Sequence, residues 1–199
     1  MQVKIKKEGK TQTFNLIKKW SDVSLETWLQ LIDFEKGSKT EEATETIAAL
    51  SDIPKKLIKE LALSDVAVIM SKVAELQQEQ DTKLKRIITI NGVEYGFHPD
   101  LDSISLGEYA DIEQFIKNGI DKQLPELMSV LYRPVKLKKN DIYIIDSYDG
   151  DIRLRAEEMK QMSAEQVQSA LVFFYTLGKV LSEILPLYLM ERLKEMKTQ

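Results

Sequence analysis

A β-hairpin is encoded by residues 87–95, which read Ile87-Ile88-Thr89-Ile90-Asn91-Gly92-Val93-Glu94-Tyr95. Two short runs, rich in β-branched and aromatic residues, flank an Asn-Gly pair. Both positions of such a pair accept the positive φ angles that a type I′ turn requires. The stretch therefore predicts two antiparallel strands joined by a two-residue turn.

Three capping boxes outside this hairpin predict helices, because a serine is followed three residues later by Glu or Gln. They lie at Ser38–Glu41, Ser105–Glu108 and Ser163–Gln166. Apolar residues at helical spacing follow each box, and they also follow three other candidate starts, Ser24, Pro54 and Ser64. The helix that begins at Ser163 is predicted to be the longest, and apolar residues occupy much of its circumference.

Further strands are predicted on both sides of the central hairpin. Residues 3–7 and 11–17 alternate apolar and polar side chains, which indicates a second hairpin. Ile142–Ile145 is predicted to be a short strand, and a return strand is predicted through Ile152 and Leu154. A helix over residues 122–132 is expected to stop before Pro134.

These elements predict an α+β fold that is mostly helical: a helical bundle with short antiparallel β-hairpins and a long C-terminal helix. The polar stretch of residues 77–85 predicts a boundary within the chain. It would separate an N-terminal part, residues 1–80, from a C-terminal part, residues 81–199.

The composition excludes several classes of chemistry. The chain of 199 residues has no cysteine and one histidine, His98, which rules out thiolate sites and sites built on two imidazoles. Glycine-rich phosphate loops and the nucleophile elbow of serine hydrolases are absent. We therefore expect no enzyme, no cofactor and no metal. One alternative stays open, in which His98 works with Asp100 or Asp102 as a catalytic or metal-binding group.

The charge is distributed unevenly along the chain. Residues 1–20 carry six lysines against one glutamate, although the whole chain has a net charge of −4. Lys4 and Lys6 are therefore candidates for contact with an acidic partner surface or with phosphate, and the alternative is a solvated edge strand. The acidic remainder opposes nonspecific binding to nucleic acid. No apolar run is long enough to span a bilayer, so we expect no membrane contact and a cytoplasmic setting.

Two stretches suggest contact with other proteins. Arg133 either bonds the last carbonyls of the preceding helix or, together with Tyr132, anchors a partner. The C-terminal helix is either the centre of its domain or shared with another subunit. The candidate interface residues on that helix are Phe173, Tyr175 and Leu189.

Three stretches also carry a resemblance to a known class of proteins: Asn91-Gly92-Val93-Glu94-Tyr95, Leu106-Gly107-Glu108-Tyr109-Ala110-Asp111-Ile112-Glu113 and Leu131-Tyr132-Arg133-Pro134-Val135. On these stretches the chain resembles small structural or morphogenesis proteins of tailed bacteriophages, above all those of crAss-like and related phages of Bacteroidetes hosts. The resemblance implies a non-enzymatic neck or tail subunit, a ring or adaptor component. It further implies self-association, other virion proteins as partners, and a place in the virion after assembly in the host cytoplasm. The alternative is a cytoplasmic tail assembly chaperone.

Overall fold

The computed structural model describes residues 1–7, 10–34, 37–78, 83–173 and 175. The N-terminal part consists of strands β1 (Gln2–Lys7) and β2 (Lys10–Asn15), followed by helices α1 (Leu25–Phe34), α2 (Lys39–Leu50), α3 (Lys55–Ile58) and α4 (Leu63–Gln78). The C-terminal part then runs through β3 (Ile87–Ile90), β4 (Val93–Phe97), α5 (Leu106–Lys117), α6 (Leu124–Leu131), β5 (Tyr132–Lys139), β6 (Ile142–Ile145) and α7 (Ile152–Met159). Residues 164–173 form a further helix, α8.

The predicted α+β class is confirmed, and so are the Asn-Gly turn and the three capping boxes. Strands β1 and β2 form an antiparallel two-stranded sheet, and β3, β4, β5 and β6 form a four-stranded antiparallel sheet in that order. Asn91 and Gly92 have φ angles of 50° and 80°, as the type I′ turn requires. All three capping boxes form, including Ser163, whose backbone N–H donates to Gln166 Oε1 at 3.1 Å.

Strand β5 was not predicted, because Pro134 lies near its start. A proline has no N–H to donate, so it usually argues against a strand within a sheet. Here Pro134 pairs with Tyr95, and its carbonyl accepts a hydrogen bond from the Asp146 N–H at 2.9 Å. A register shift between Val135 and Leu137 adjusts the pairing with β6.

The predicted return strand through Ile152 and Leu154 is wrong, since residues 152–159 form helix α7. Ala156 and Met159 lie inward at 4 % and 0 % exposure, whereas Leu154 is 74 % exposed. The buried positions thus follow helical spacing rather than the alternation of a strand. The prediction rested on two apolar residues and did not detect the helical period of the buried positions.

Two hydrophobic cores hold these elements. The N-terminal core lies between β1, α2 and α4 and is built on residues such as Ile5, Trp20, Ile47, Leu50 and Ile69. The C-terminal core lies between the four-stranded sheet and helices α5–α8 and is built on residues such as Phe97, Leu127, Leu131, Tyr132 and Met159.

The segment between β2 and α1 joins the two cores. The Leu25 N–H donates to the Met162 carbonyl at 2.7 Å, and the Ala164 N–H donates to the Val23 carbonyl at 2.7 Å. Leu25 is buried in the C-terminal core, while Ala164 is buried in the N-terminal core. The two parts of the chain therefore exchange buried side chains, and their independence as domains stays a prediction. The predicted continuation of α8 through residues 176–199 lies outside the described residues.

Replacing Gly96 by alanine is expected to destabilise the sheet by about 1–3 kcal/mol, the usual cost of overpacking. A Cβ atom at this position would lie 2.5 Å from the ring of Tyr143. That ring has little room to move, because its hydroxyl donates to the Phe97 carbonyl at 2.6 Å. Urea denaturation of the variant measures the loss.

Gly107→Ala is the matched control for this substitution. Its new Cβ would meet the Tyr148 ring at an ordinary 3.5 Å, and alanine favours the helix in which Gly107 lies. We expect this variant to be at least as stable as the wild type. Equal stability of the Gly96→Ala variant would contradict the close packing of Tyr143 on the sheet.

Candidate functional site

A cluster of buried charged and titratable side chains lies where β4, α5 and β5 meet. Glu108 and Arg133 are 3 % and 4 % exposed, and Arg133 Nη1 lies 2.6 Å from Glu108 Oε1. His98 is 8 % exposed, and its Nε2 lies 3.5 Å from the same carboxylate oxygen. Among the described residues this is where ionisable side chains are most deeply buried together, so we treat it as the first candidate site.

Local sequence chemistry places each member of the cluster. Glu108 is the third residue of α5 and closes the capping box, because its Oε2 accepts from the Ser105 N–H at 2.7 Å. Arg133 is the second residue of β5 and lies opposite Gly96 in the sheet. His98 follows β4 directly, and its N–H donates to the Leu131 carbonyl at 2.7 Å. The carboxylate of Glu108 therefore caps a helix and neutralises Arg133 at the same time.

Tyr148 covers the guanidinium group of this cluster. The Arg133 Cζ atom lies 5.8 Å from the centre of the Tyr148 ring, within the range of a cation–π contact. The Tyr148 hydroxyl donates a hydrogen bond to Asp111 Oδ2. Burial, followed by this bond to Asp111, raises the pKa of Tyr148 above its ordinary value. Tyr148 therefore stays neutral, and its uncharged ring covers the guanidinium group of Arg133.

Burial and the neighbouring charges keep His98 neutral beside the charged pair of Glu108 and Arg133. Burial lowers the pKa of His98, although the Glu108 charge opposes that effect. For Glu108, burial would raise the pKa, but hydrogen bonds from Ser105 and the charges of Arg133 and His98 lower it below the ordinary value. At neutral pH the cluster therefore holds one carboxylate, one guanidinium and one uncharged imidazole.

The space beside His98 is small. A cavity of ≈ 130 Å³ is lined by His98 together with Arg86, Asp100, Phe97 and Phe173. At about 30 Å³ per molecule it has room for about four waters. Asp100, one of the two partners suggested for His98, lines the same cavity. The side chain of Asp102, the other, lies outside the described residues. The contacts of the cluster join helix α5 to strands β4 and β5.

The stability of the protein is expected to fall as the pH drops from 6.5 toward about 5. Because the pKa of His98 is lower in the folded chain than its ordinary value of 6.5, the unfolded chain takes up the proton first. The contribution of a neutral His98 is thus complete above pH 6.5 and is lost below it. The groups that face the ring are Glu108, Arg133 and Asp100.

Urea denaturation between about pH 8 and about pH 5 measures this dependence, because histidine titrates within this range and carboxyl groups ordinarily titrate below it. A His98→Gln variant, which cannot titrate, should lack the loss between pH 6.5 and 5. A wild type that becomes more stable over that interval would contradict the burial of a neutral imidazole.

The structure corrects the expectation that Tyr132 and Arg133 anchor a partner. Tyr132 is 0 % exposed, and its ring packs edge-to-face on Phe97 with centroids 5.2 Å apart. Arg133 is occupied by Glu108 and Tyr148, as described above. Neither side chain reaches the surface, because Tyr132 packs in the C-terminal core and Arg133 is covered by Glu108 and Tyr148.

The other predicted interface residues lie at the surface or near it. Lys4 and Lys6 are exposed on β1. Phe173 is partly buried, and its ring packs edge-to-face on Phe97 at 5.4 Å, whereas Tyr175 is 55 % exposed. Leu189 lies outside the described residues. Lys4 and Lys6 thus lie on the N-terminal sheet, whereas Phe173 packs against the C-terminal core.

An exposed apolar surface on β5 and β6, which the sequence analysis did not identify, forms a second candidate site. Leu137, Ile142 and Ile144 are 67 %, 78 % and 55 % exposed. Leu137 pairs directly with Ile144 across the two strands, and Ile142 follows on the same face of β6. A signal was available: Ile142-Tyr143-Ile144-Ile145 is apolar at every position, which is typical of a strand covered on both faces.

Comparison of the chain with protein-family models, curated proteins and solved structures gave no match. No helix in the described ranges is long and apolar enough to cross a bilayer. Within the same ranges no group of three or more His, Asp or Glu side chains is arranged to hold a metal ion.

Proposed function

We propose that this chain is a non-enzymatic structural subunit of a tailed-phage neck or tail, which acts through protein–protein assembly. Its partners are further copies of itself and other virion proteins. The observation that carries the proposal is the exposed apolar surface of Leu137, Ile142 and Ile144. The assignment to a phage particle rests on the resemblance of residues 85–180.

The position of this apolar surface supports an assembly role. It spans β5 and β6, and β6 is an outer strand of the four-stranded sheet. An apolar edge strand is a template for pairing with another chain. Folded monomers usually protect such an edge with lysine, proline or a covering element. Residues 142–145 contain no charge and no proline. A partner that covers this edge accounts for its composition.

The buried cluster supports the non-enzymatic part of the proposal. Catalysis needs reacting groups that a substrate can reach, and the Glu108 and Arg133 side chains are almost fully enclosed. Their contacts to Ser105 and Tyr148 are those of a structural joint between α5 and β5. The predicted continuation of α8, with Tyr175 and Leu189, would add a further apolar surface for neighbours.

Mass spectrometry of purified virions tests the proposal. We expect the protein in the particle in a fixed ratio to other neck or tail proteins, and we expect cryo-electron microscopy of the particle to show it as a ring or adaptor. Presence during infection with absence from finished virions would favour the tail assembly chaperone instead. Absence from both would contradict a role in virion assembly.

A further inference from the structure

Besides β3, two outer strands of the described sheets present an edge for pairing with another molecule. One is β6, at the end of the four-stranded sheet. The other is β1, because the neighbouring β2 continues into the bridge between Leu16 and Ser51 and so lies against the end of α2. An open edge presents unpaired backbone donors and acceptors, which a strand from another molecule can satisfy.

Charged residues of opposite sign lie on β1 and immediately beside β6, although Lys139 on the neighbouring β5 pairs with Ile142. Lys4 and Lys6 are exposed on β1, whereas Asp141 and Asp146 directly precede and follow β6. Asp146 Oδ1 also lies 3.0 Å from Lys136 Nζ. Such solvent-exposed ion pairs contribute little to stability. Edge lysines discourage pairing with a second basic edge, but they favour pairing with an acidic one.

We propose that β1 of one copy of this chain adds antiparallel to β6 of the next copy. This inference rests on the proposed function as an assembly subunit and names the contact through which copies join. The result is a continuous sheet across the interface, with the exposed apolar surface of β6 beside the neighbour's N-terminal core.

One register satisfies both the charges and the alternation of side chains. When Lys6 lies opposite Asp141, Ile5 lies opposite Ile142 and Val3 lies opposite Ile144. Opposite residues of an antiparallel pair point to the same face. The apolar side chains of β1, which face its own core, therefore share a face with the exposed isoleucines of β6. Lys4 falls opposite Tyr143 on the other face.

Charge repulsion disfavours the pairing of two β6 strands and the pairing of two β1 strands. Two β6 strands in antiparallel contact bring the flanking Asp141 and Asp146 of one copy toward those of the other. Two β1 strands bring lysines together. Like charges directly opposite each other destabilise a strand pair. A contact between unlike edges is heterologous, so it repeats from copy to copy and closes into a ring if the rotation allows.

Disulfide trapping tests the contact, since the natural chain has no cysteine. Opposite residues of an antiparallel pair have Cα atoms about 4.5–5.5 Å apart, which suits a disulfide. The full chain with Lys6→Cys and Asp141→Cys, oxidised at micromolar concentration, should give a ladder of covalent dimers, trimers and larger species. A mixture of the two single variants should give covalent dimers only. Lys6→Cys with Lys122→Cys is the control pair.

A ladder no stronger than that of the control pair, or a disulfide within one chain, would overturn the proposal. Charge reversal gives a second readout that needs no oxidation: Lys6→Glu should break the oligomer, and Asp141→Lys in the same chain should restore it. An oligomer unchanged by Lys6→Glu would also overturn it. A ladder in a protein that is absent from virions would contradict the proposed function but not this contact.

Discussion

The Arg133→Met variant is expected to lose about 3–5 kcal/mol of folding free energy, the cost of breaking a buried ion pair by removing one partner. Glu108 is 3 % exposed and would remain in the interior as an uncompensated carboxylate. Methionine fills much of the space left by the arginine stem, so the loss reports the charge rather than a cavity. Urea denaturation at pH 7 measures it.

Two further variants separate this effect from a general sensitivity to substitution. Glu108→Gln in the Arg133→Met background should recover much of the loss, because it removes the orphaned charge while its amide oxygen still accepts from Ser105. Lys117→Met breaks an exposed pair with Glu113 and should cost less than about 1 kcal/mol. A cost for Arg133→Met as small as that of Lys117→Met would contradict the buried cluster.

The Tyr132→Ala variant is expected to lose about 3–5 kcal/mol, typical of truncating a fully buried aromatic side chain. The ring is 0 % exposed, packs on Phe97, and donates its hydroxyl to the Lys85 carbonyl at 2.7 Å. Tyr132→Phe keeps the ring and loses only that bond, so it should cost about 1 kcal/mol. Thermal and urea denaturation of both variants give the comparison.

This pair of variants also distinguishes a core residue from a partner anchor. A core residue lowers the stability of the chain by itself, whereas an anchor lowers only the affinity for a partner. A Tyr132→Ala variant that is as stable as the wild type but fails to assemble would restore the original expectation that Tyr132 contacts a neighbour.

Features with a local physical cause were predictable from the sequence. The Asn91-Gly92 turn depends on the φ preferences of two residues, and the capping boxes depend on a serine and a carboxylate or amide three positions later. The structure shows each of them where the sequence placed it. These signals also sufficed for the α+β class.

Features that depend on distant pairing were not predictable. No residue close to Arg133 in the sequence indicates that its partner is Glu108 on another element. The presence of Glu108 was already explained by its role in the capping box. The proline in β5 concealed a strand whose pairing depends on β4 and β6. The exposure of Ile142 and Ile144 depends on which face of the sheet the core covers, because Tyr143 and Ile145 on the other face are buried. The local pattern does not contain that information.

Sedimentation velocity of the full chain beside its Ile144→Lys variant tests the central claim, assembly through the apolar edge, most directly. A lysine at the centre of β6 introduces a charge on an edge strand and should disfavour pairing. We expect the wild type to sediment at micromolar concentration as a species larger than the 22.9 kDa monomer, and we expect the variant to sediment as the monomer. A wild type that sediments only as a 22.9 kDa monomer, or a variant that assembles equally well, would contradict the account.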